Sequence, residues 1–217
     1  MVELPEAISG AGPGVLLQPQ NYTDTYLEET IKIAQQIDRA AIGHAVEILR
    51  TLQSGAGRLF ILGVGGSAAN ASHATNDFRK IAGIETYCPT DNVAELTAWT
   101  NDVGWDVVFE SWLKTSRIRA ADALLVFSVG GGSASTSQNL VRGMQLAKGA
   151  GAKIVSVVSR DGGFAAKLSD ACILVPVVSP ERITPHAEGW QGIVWHLLVN
   201  AVAQPLTHFT HKRAEAK

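Results

Sequence analysis

The sequence predicts a three-layer, doubly wound α/β sandwich built on a five-stranded parallel sheet and preceded by a long N-terminal helix. Three observations predict it. Short apolar runs recur at about 58–63 (RLFILG), 85–89, 123–128 (ALLVFS), 153–158 (KIVSVV) and 172–177 (CILVPV), each the length of a buried strand. Each run is followed by a turn rich in Gly, Ser or Asp and then by a stretch of helical periodicity, the alternation of a parallel sheet. Apolar residues make up 46% of the chain and charged residues 18%, so strands and helices bury more than one face, in the core or against another subunit.

Taken in order, residues 1–22 hold three Gly and three Pro among few charges, which predicts an irregular arm. A single domain is expected over 23–217. Thr23 and Asp24 are suitable N-cap residues, and Ile31, Ile33, Ile37, Ala41, Ile42, Val46, Ile48 and Leu49 follow near helical spacing up to Ser54-Gly55, predicting a helix over 24–53. Its apolar faces exceed what one small domain covers, so a subunit partner is expected. Further helices are expected at 67–81, 92–101, 105–117, 136–149, 162–168 and 186–203. Ligands of such a sheet bind beyond the carboxyl ends of its strands, so the turns after the strands are where chemistry is expected.

Bulk properties exclude several classes of partner. A net charge of −2 and a pI near 6.3 give no electrostatic reason to expect nucleic acid or an anionic membrane surface. Cys88 and Cys172 lie far apart without metal-ligand spacing, a usage that suits a reducing compartment. No apolar run approaches the ~20 residues of a membrane span. The first twenty residues carry Glu3 and Glu6 and no basic cluster, so no signal peptide is expected and the expected location is cytoplasmic.

The turn after the first strand reads GVGGS, Gly63 to Ser67. Its glycines let the backbone approach an anion, and the following helix adds the positive end of its dipole; Gly65, Gly66 and Ser67 are candidate phosphate ligands. Gly63, Gly65 and Ala68 also satisfy a dinucleotide pattern, with Asp91 near the end of the second strand as a ribose-binding acid, so a nicotinamide-dependent oxidoreductase stays open. The third strand ends at Ser128 and runs into VGGGSASTS. Ser128, Ser133, Ser135, Thr136 and Ser137, with free amides at a helix start, form a phosphate cradle that needs no lysine. His73 and Asp77 stand one helical turn apart on the next helix, and Glu188 and His196 share one face of the last helix with Gln191 nearby. Two imidazoles and two carboxylates suit a divalent metal such as zinc, or an acid/base pair with supporting groups.

The stretch GVGGSAANASHATNDF (63–78) resembles the SIS (sugar isomerase) family, and within it the phosphoheptose isomerases. The resemblance continues through Asp91, Asn101-Asp102, the Ser-rich loop, Arg160-Asp161-Gly162-Gly163 and the last helix around Glu188 and His196, about residues 23 to 203. It implies a flavodoxin-like five-stranded sheet and a homotetramer with sites between subunits. The activity implied is ketose–aldose isomerisation of a sugar phosphate, sedoheptulose 7-phosphate to D-glycero-D-manno-heptose 7-phosphate, through an enediol and with no organic cofactor. In the family pattern His73 is the loop-helix histidine, Asp77 the catalytic base, Glu188 the position of a metal-binding glutamine, and His196 the catalytic histidine.

Three features depart from that pattern. Asp77 replaces a Glu and is one methylene shorter; Glu188 replaces a Gln; and the loop after the third strand is longer, as is the segment Thr184-Pro185-His186-Ala187. Two carboxylates in one site repel unless a cation lies between them, so a zinc ion held by His73, Asp77, Glu188 and His196 is expected, with Glu188 also near substrate. A non-enzymatic SIS module that senses a sugar phosphate or binds protein shares the fold but does not need these four residues. The segment before the first strand also leaves no room for a helix-turn-helix domain.

Overall fold

The strands alternate their side chains between two apolar layers, and this alternation builds the sandwich. In the computed structural model, residues 19–204 are described. The sheet consists of β1 (Leu59–Leu62), β2 (Thr86–Tyr87), β3 (Ala123–Phe127), β4 (Lys153–Val158) and β5 (Ala171–Leu174). All neighbours pair in parallel, in the order β2-β1-β3-β4-β5. The helices are α1 (Pro19–Gln36), α2 (Arg39–Ser54), α3 (Gly66–Lys80), α4 (Val93–Asp102), α5 (Val108–Thr115), α6 (Gln138–Gly149), α7 (Gly163–Leu168) and α8 (Ile183–Ala203).

Leu59 and Ile61 of β1 join Leu125, Val155 and Ile173 under α2, α3 and α8, whose Leu49, Phe78 and Trp195 are fully buried. On the other face Phe60 and Leu62 join Leu124, Val126 and Ile154 under α5 and α6, with Phe109, Leu113 and Met144 buried between. The central strands β1, β3 and β4 are covered on both faces, which is why they read as unbroken apolar runs.

The long helix expected over 24–53 is two helices. Asp38 leaves the helical conformation (φ −69°, ψ 105°), and its side chain accepts hydrogen bonds from the amides of Ala40 at 2.8 Å and Ala41 at 3.2 Å. An N-cap of this kind starts a new helix and turns the chain. Residues 19–22, expected within the irregular arm, open α1; positions 1–18 lie outside the described residues. The stretch expected as a helix over 105–117 divides into a 3₁₀ turn, Trp105–Val107, and α5. The last helix starts earlier than 186, at Ile183, because Pro185 falls in its first turn, where a missing N–H costs nothing.

Candidate active site

β1 and β3 lie side by side, with Leu62 level with Val126, but the chain leaves them toward opposite edges of the sheet. A crevice opens at such a point. A cavity of about 440 Å³ lies there, walled by Val64 and Ser67 after β1, Ser128 and the 130–137 loop after β3, Arg160 and Asp161 after β4, and Thr184 and Glu188 from α8.

Two glycine-rich loops interlock to form its floor. The amides of Phe164 and Ala165, at the start of α7, donate to the carbonyls of Gly132 and Gly131 at 3.0 Å each. A Cβ on Gly131 would run into the Gly162 carbonyl, and one on Gly163 into the Gly132 and Gly130 carbonyls. The hydroxyls brace the same loop: Ser128 Oγ accepts from the Gly131 amide at 3.1 Å, and Ser133 Oγ accepts from the amides of Ser135 and Thr136 at 3.3 and 3.1 Å. A hydroxyl used this way as an acceptor keeps its own proton to donate to a ligand. Ser137 (φ 54°) and Arg160 (φ 56°) both hold left-handed backbones on the cavity wall, a strained state costing of order 1 kcal/mol or more and typical of ligand clamps.

The electrostatics favour an anion at one end. α3 and α6 both begin at the cavity, so two positive helix ends converge on it. Ser67, in the first turn of α3, is 2% exposed, and its Oγ has no hydrogen-bond partner among the described residues. A buried hydroxyl without a partner costs about 1–3 kcal/mol, which a bound anion would recover. Arg160 adds a cation, its stem 3.9 Å from where a Cβ on Gly130 would lie. Two carboxylates share the cavity wall: Asp161, next to Arg160, accepts from the Gly163 amide at 3.1 Å, and the Glu188 carboxylate lies over Gly66, beside Ser67.

Further along α3 and α8 a second group forms. His73, Asp77 and His196 each offer a ligand atom, all within 4.8 Å of one another, with His73 Nε2 3.9 Å from Asp77 Oδ2. His196 Nδ1 lies 2.7 Å from the Gly192 carbonyl; facing a carbonyl it must carry the proton, which leaves the Nε2 lone pair free. Trp195 stacks on His196 at 3.4 Å between ring centroids. Asn70 ties the two helices together, donating to the Glu188 carbonyl at 3.0 Å and to Gln191 Oε1 at 3.1 Å. Two imidazoles and a carboxylate fit a divalent cation such as zinc and leave a fourth position open.

The residues expected to form one site thus divide. Ser67, Ser128, Ser133, Thr136, Ser137 and Glu188 meet at the cavity. His73, Asp77 and His196 meet apart from it. Glu188 does not join them: it stands eight residues from His196 on one helix, about 12 Å along the axis, and is not among the clustered ligand atoms. Gly65 and Gly66 lead into Ser67 without lining the cavity, and Ser135 is exposed and does not line it either. Asp91 follows the second strand, as expected, but lines a different depression with Arg79, Glu95 and Trp112 and not the cavity. Arg160, Asp161 and Thr184 were missed as site residues. The first two follow β4 and obey the same strand-end rule as the serines.

Comparison with known proteins agrees with this architecture. A family model described as SIS domain matches residues 22–159. The lincomycin biosynthesis protein LmbN of Streptomyces lincolnensis is 32% identical over 197 residues, 85% of this chain and 70% of that protein. The phosphoheptose isomerase of Rhodospirillum rubrum is 29% identical over 171 residues, 76% of this chain and 86% of that protein. The structure of phosphoheptose isomerase GmhA from Neisseria gonorrhoeae superposes with a TM-score of 0.73 at 26% identity, covering 85% of this chain and 98% of that one. With its sheet order, its hydroxyl-lined crevice and a match over more than half its length, this chain belongs to the SIS domain family.

Proposed function

We propose that the chain is a ketose–aldose isomerase of sugar phosphates, interconverting sedoheptulose 7-phosphate and D-glycero-D-manno-heptose 7-phosphate through an enediol. The observation that carries the reading is Ser67, a buried hydroxyl without a partner among the described residues, on the wall of a cavity where two helix N-termini meet. Relatives named phosphoheptose isomerase support the choice of substrate.

The phosphate is held by Ser67, Ser128, Ser133, Thr136 and Ser137, with Arg160 closing on it. Holding that end leaves the sugar chain to Thr184 and Glu188 and turns an encounter into a positioned reaction. Asp77 takes the proton from the carbon beside the ketose carbonyl and returns it to the neighbouring carbon. His196, with its Nε2 free, moves the proton between the two oxygens. A zinc ion held by His73, Asp77 and His196 would take up the His196 Nε2 lone pair, and would then supply carbonyl polarisation and enediolate charge stabilisation in place of that proton transfer.

Cavity and proton-transfer group occupy different places on one chain, so we place the working site between copies in a cytoplasmic homotetramer. The test is incubation of purified protein with a panel of ketose phosphates in deuterated water, read by NMR. Aldose formation with deuterium at the adjacent carbon is expected; neither signal with any member of the panel rejects the reading.

A further inference from the structure

Glu29 and His186, both buried, and the partly buried Arg182 form a polar group that no step above uses. Glu29 is 6% exposed and His186 4% exposed. Arg182 grips the Glu29 carboxylate with two parallel hydrogen bonds, Nε to Oε2 at 2.8 Å and Nη2 to Oε1 at 2.7 Å. His186 Nε2 lies 2.8 Å from Oε2, and facing a carboxylate it carries the proton. Tyr26 stacks on the His186 ring at 4.4 Å, and the Arg182 guanidinium lies 5.7 Å from the Tyr22 ring centroid. Glu181 also neighbours Arg182, but its carboxylate accepts from Ser179 Oγ at 2.9 Å.

Helical geometry connects this group to the cavity. Arg182 and His186 face α1, whereas Thr184 and Glu188, two residues beyond each, line the cavity; side chains two apart on a helix leave from opposite sides. The start of α8 has no side-chain cap of its own, since Arg182 stands at its N-cap without a capping hydrogen bond. Its first turn is therefore placed by tertiary contacts, and the grip on Glu29 is the charged one. His186 lies within the 184–187 segment that departs from the family pattern.

We infer that Glu29, acting through Arg182 and His186, is a positioning residue that sets where Thr184 and Glu188 hold the sugar chain, as distinct from the phosphate. The inference rests on the cavity being the sugar-phosphate site. The test uses the full chain with Glu29→Gln, and two probes: sorbitol 6-phosphate, an unreactive open-chain polyol phosphate, and inorganic phosphate. Affinity for sorbitol 6-phosphate is expected to fall about tenfold, the scale of one lost hydrogen bond to a charged group, while affinity for inorganic phosphate is unchanged. Amide exchange over residues 183–188 quickens while that of the sheet does not, and any loss of turnover falls on KM more than kcat, since Asp77 and His196 are untouched. Faster exchange with wild-type affinity for sorbitol 6-phosphate overturns the inference, as the group is then a structural staple. So does unchanged exchange. If Glu29→Gln fails to fold, Arg182→Lys keeps the cation, loses the two-pronged grip and is read the same way. Isomerisation by the wild type is measured separately, so its absence rejects the proposed function and not this inference.

Discussion

At Gly66 a methyl group would lie 2.5–2.7 Å from the Glu188 carboxylate atoms. That obstacle is the end of a flexible side chain, and Gly66 is not among the residues with left-handed backbones. Gly66→Ala is therefore expected to keep its thermal midpoint and raise KM for a ketose phosphate, with Glu188 pushed aside. Gly131 is the opposite case, with φ +69° and a rigid carbonyl in the way; Gly131→Ala is expected to cost at least about 2 kcal/mol in denaturant unfolding. The glycines at 130–132 were legible as a loop beside a phosphate, but their packing against Gly162 and Gly163 was not, because that partner is distant in sequence. Glu29 adds a pH dependence. The Arg182 hydrogen bonds, helped by His186 and opposed by burial, hold its carboxyl at about 2 against an ordinary 4.5. A depressed carboxyl pKa stabilises fully above the ordinary value and loses that contribution as pH falls toward the folded one. The stability gap between wild type and Glu29→Gln is expected to be full at neutral pH and to close between about 4.5 and 2, as followed by denaturant titrations at successive pH values.

At the scale of elements, a side chain with local partners was easier to read than one with distant partners. The strands were legible because both faces are buried, leaving unbroken apolar runs such as RLFILG and KIVSVV. The break between α1 and α2 was not, since Ile37 and Ala41 keep the apolar spacing across it and only the Asp38 cap marks it. Asp38→Ala is expected to cost about 1 kcal/mol, measured from the shift in denaturant midpoint. The serines of the cavity were found because they follow strand ends. Thr184 and Glu188 owe their placement to α1, through a contact between residues 29 and 182, and no local pattern carries such information. His73, Asp77 and His196 were legible as helix-face residues, but whether Glu188 joined them depended on the distance along α8, and at two turns' remove it serves the cavity instead.

At the scale of the whole molecule, the described surface is incomplete in two respects that have one explanation. Leu27 and Ile31 of α1 are each 56% exposed, and Ile193 and Leu197 of α8 are 47% and 42% exposed; the last two line an apolar groove with Ile37, Ile42 and Trp190. The His73 side chain is 60% exposed in the cluster it forms with Asp77 and His196, while the cavity after β1 and β3 lies elsewhere. Association through α1 and α8 would cover the apolar faces and bring one copy's His73, Asp77 and His196 toward another's cavity. Two inactive variants test this arrangement: Ser67→Ala with Arg160→Ala to disable the cavity, and His196→Asn to disable proton transfer. Each alone is expected to lack isomerase activity. If every site takes its cavity from one chain and its proton-transfer group from another, random mixing leaves half of each part intact. Co-expression of the two variants in equal amounts is then expected to restore about a quarter of wild-type activity per site. Sites complete within a single chain give no recovery on mixing, since every chain carries one disabled half, and that result would return both halves of the reaction to one protomer.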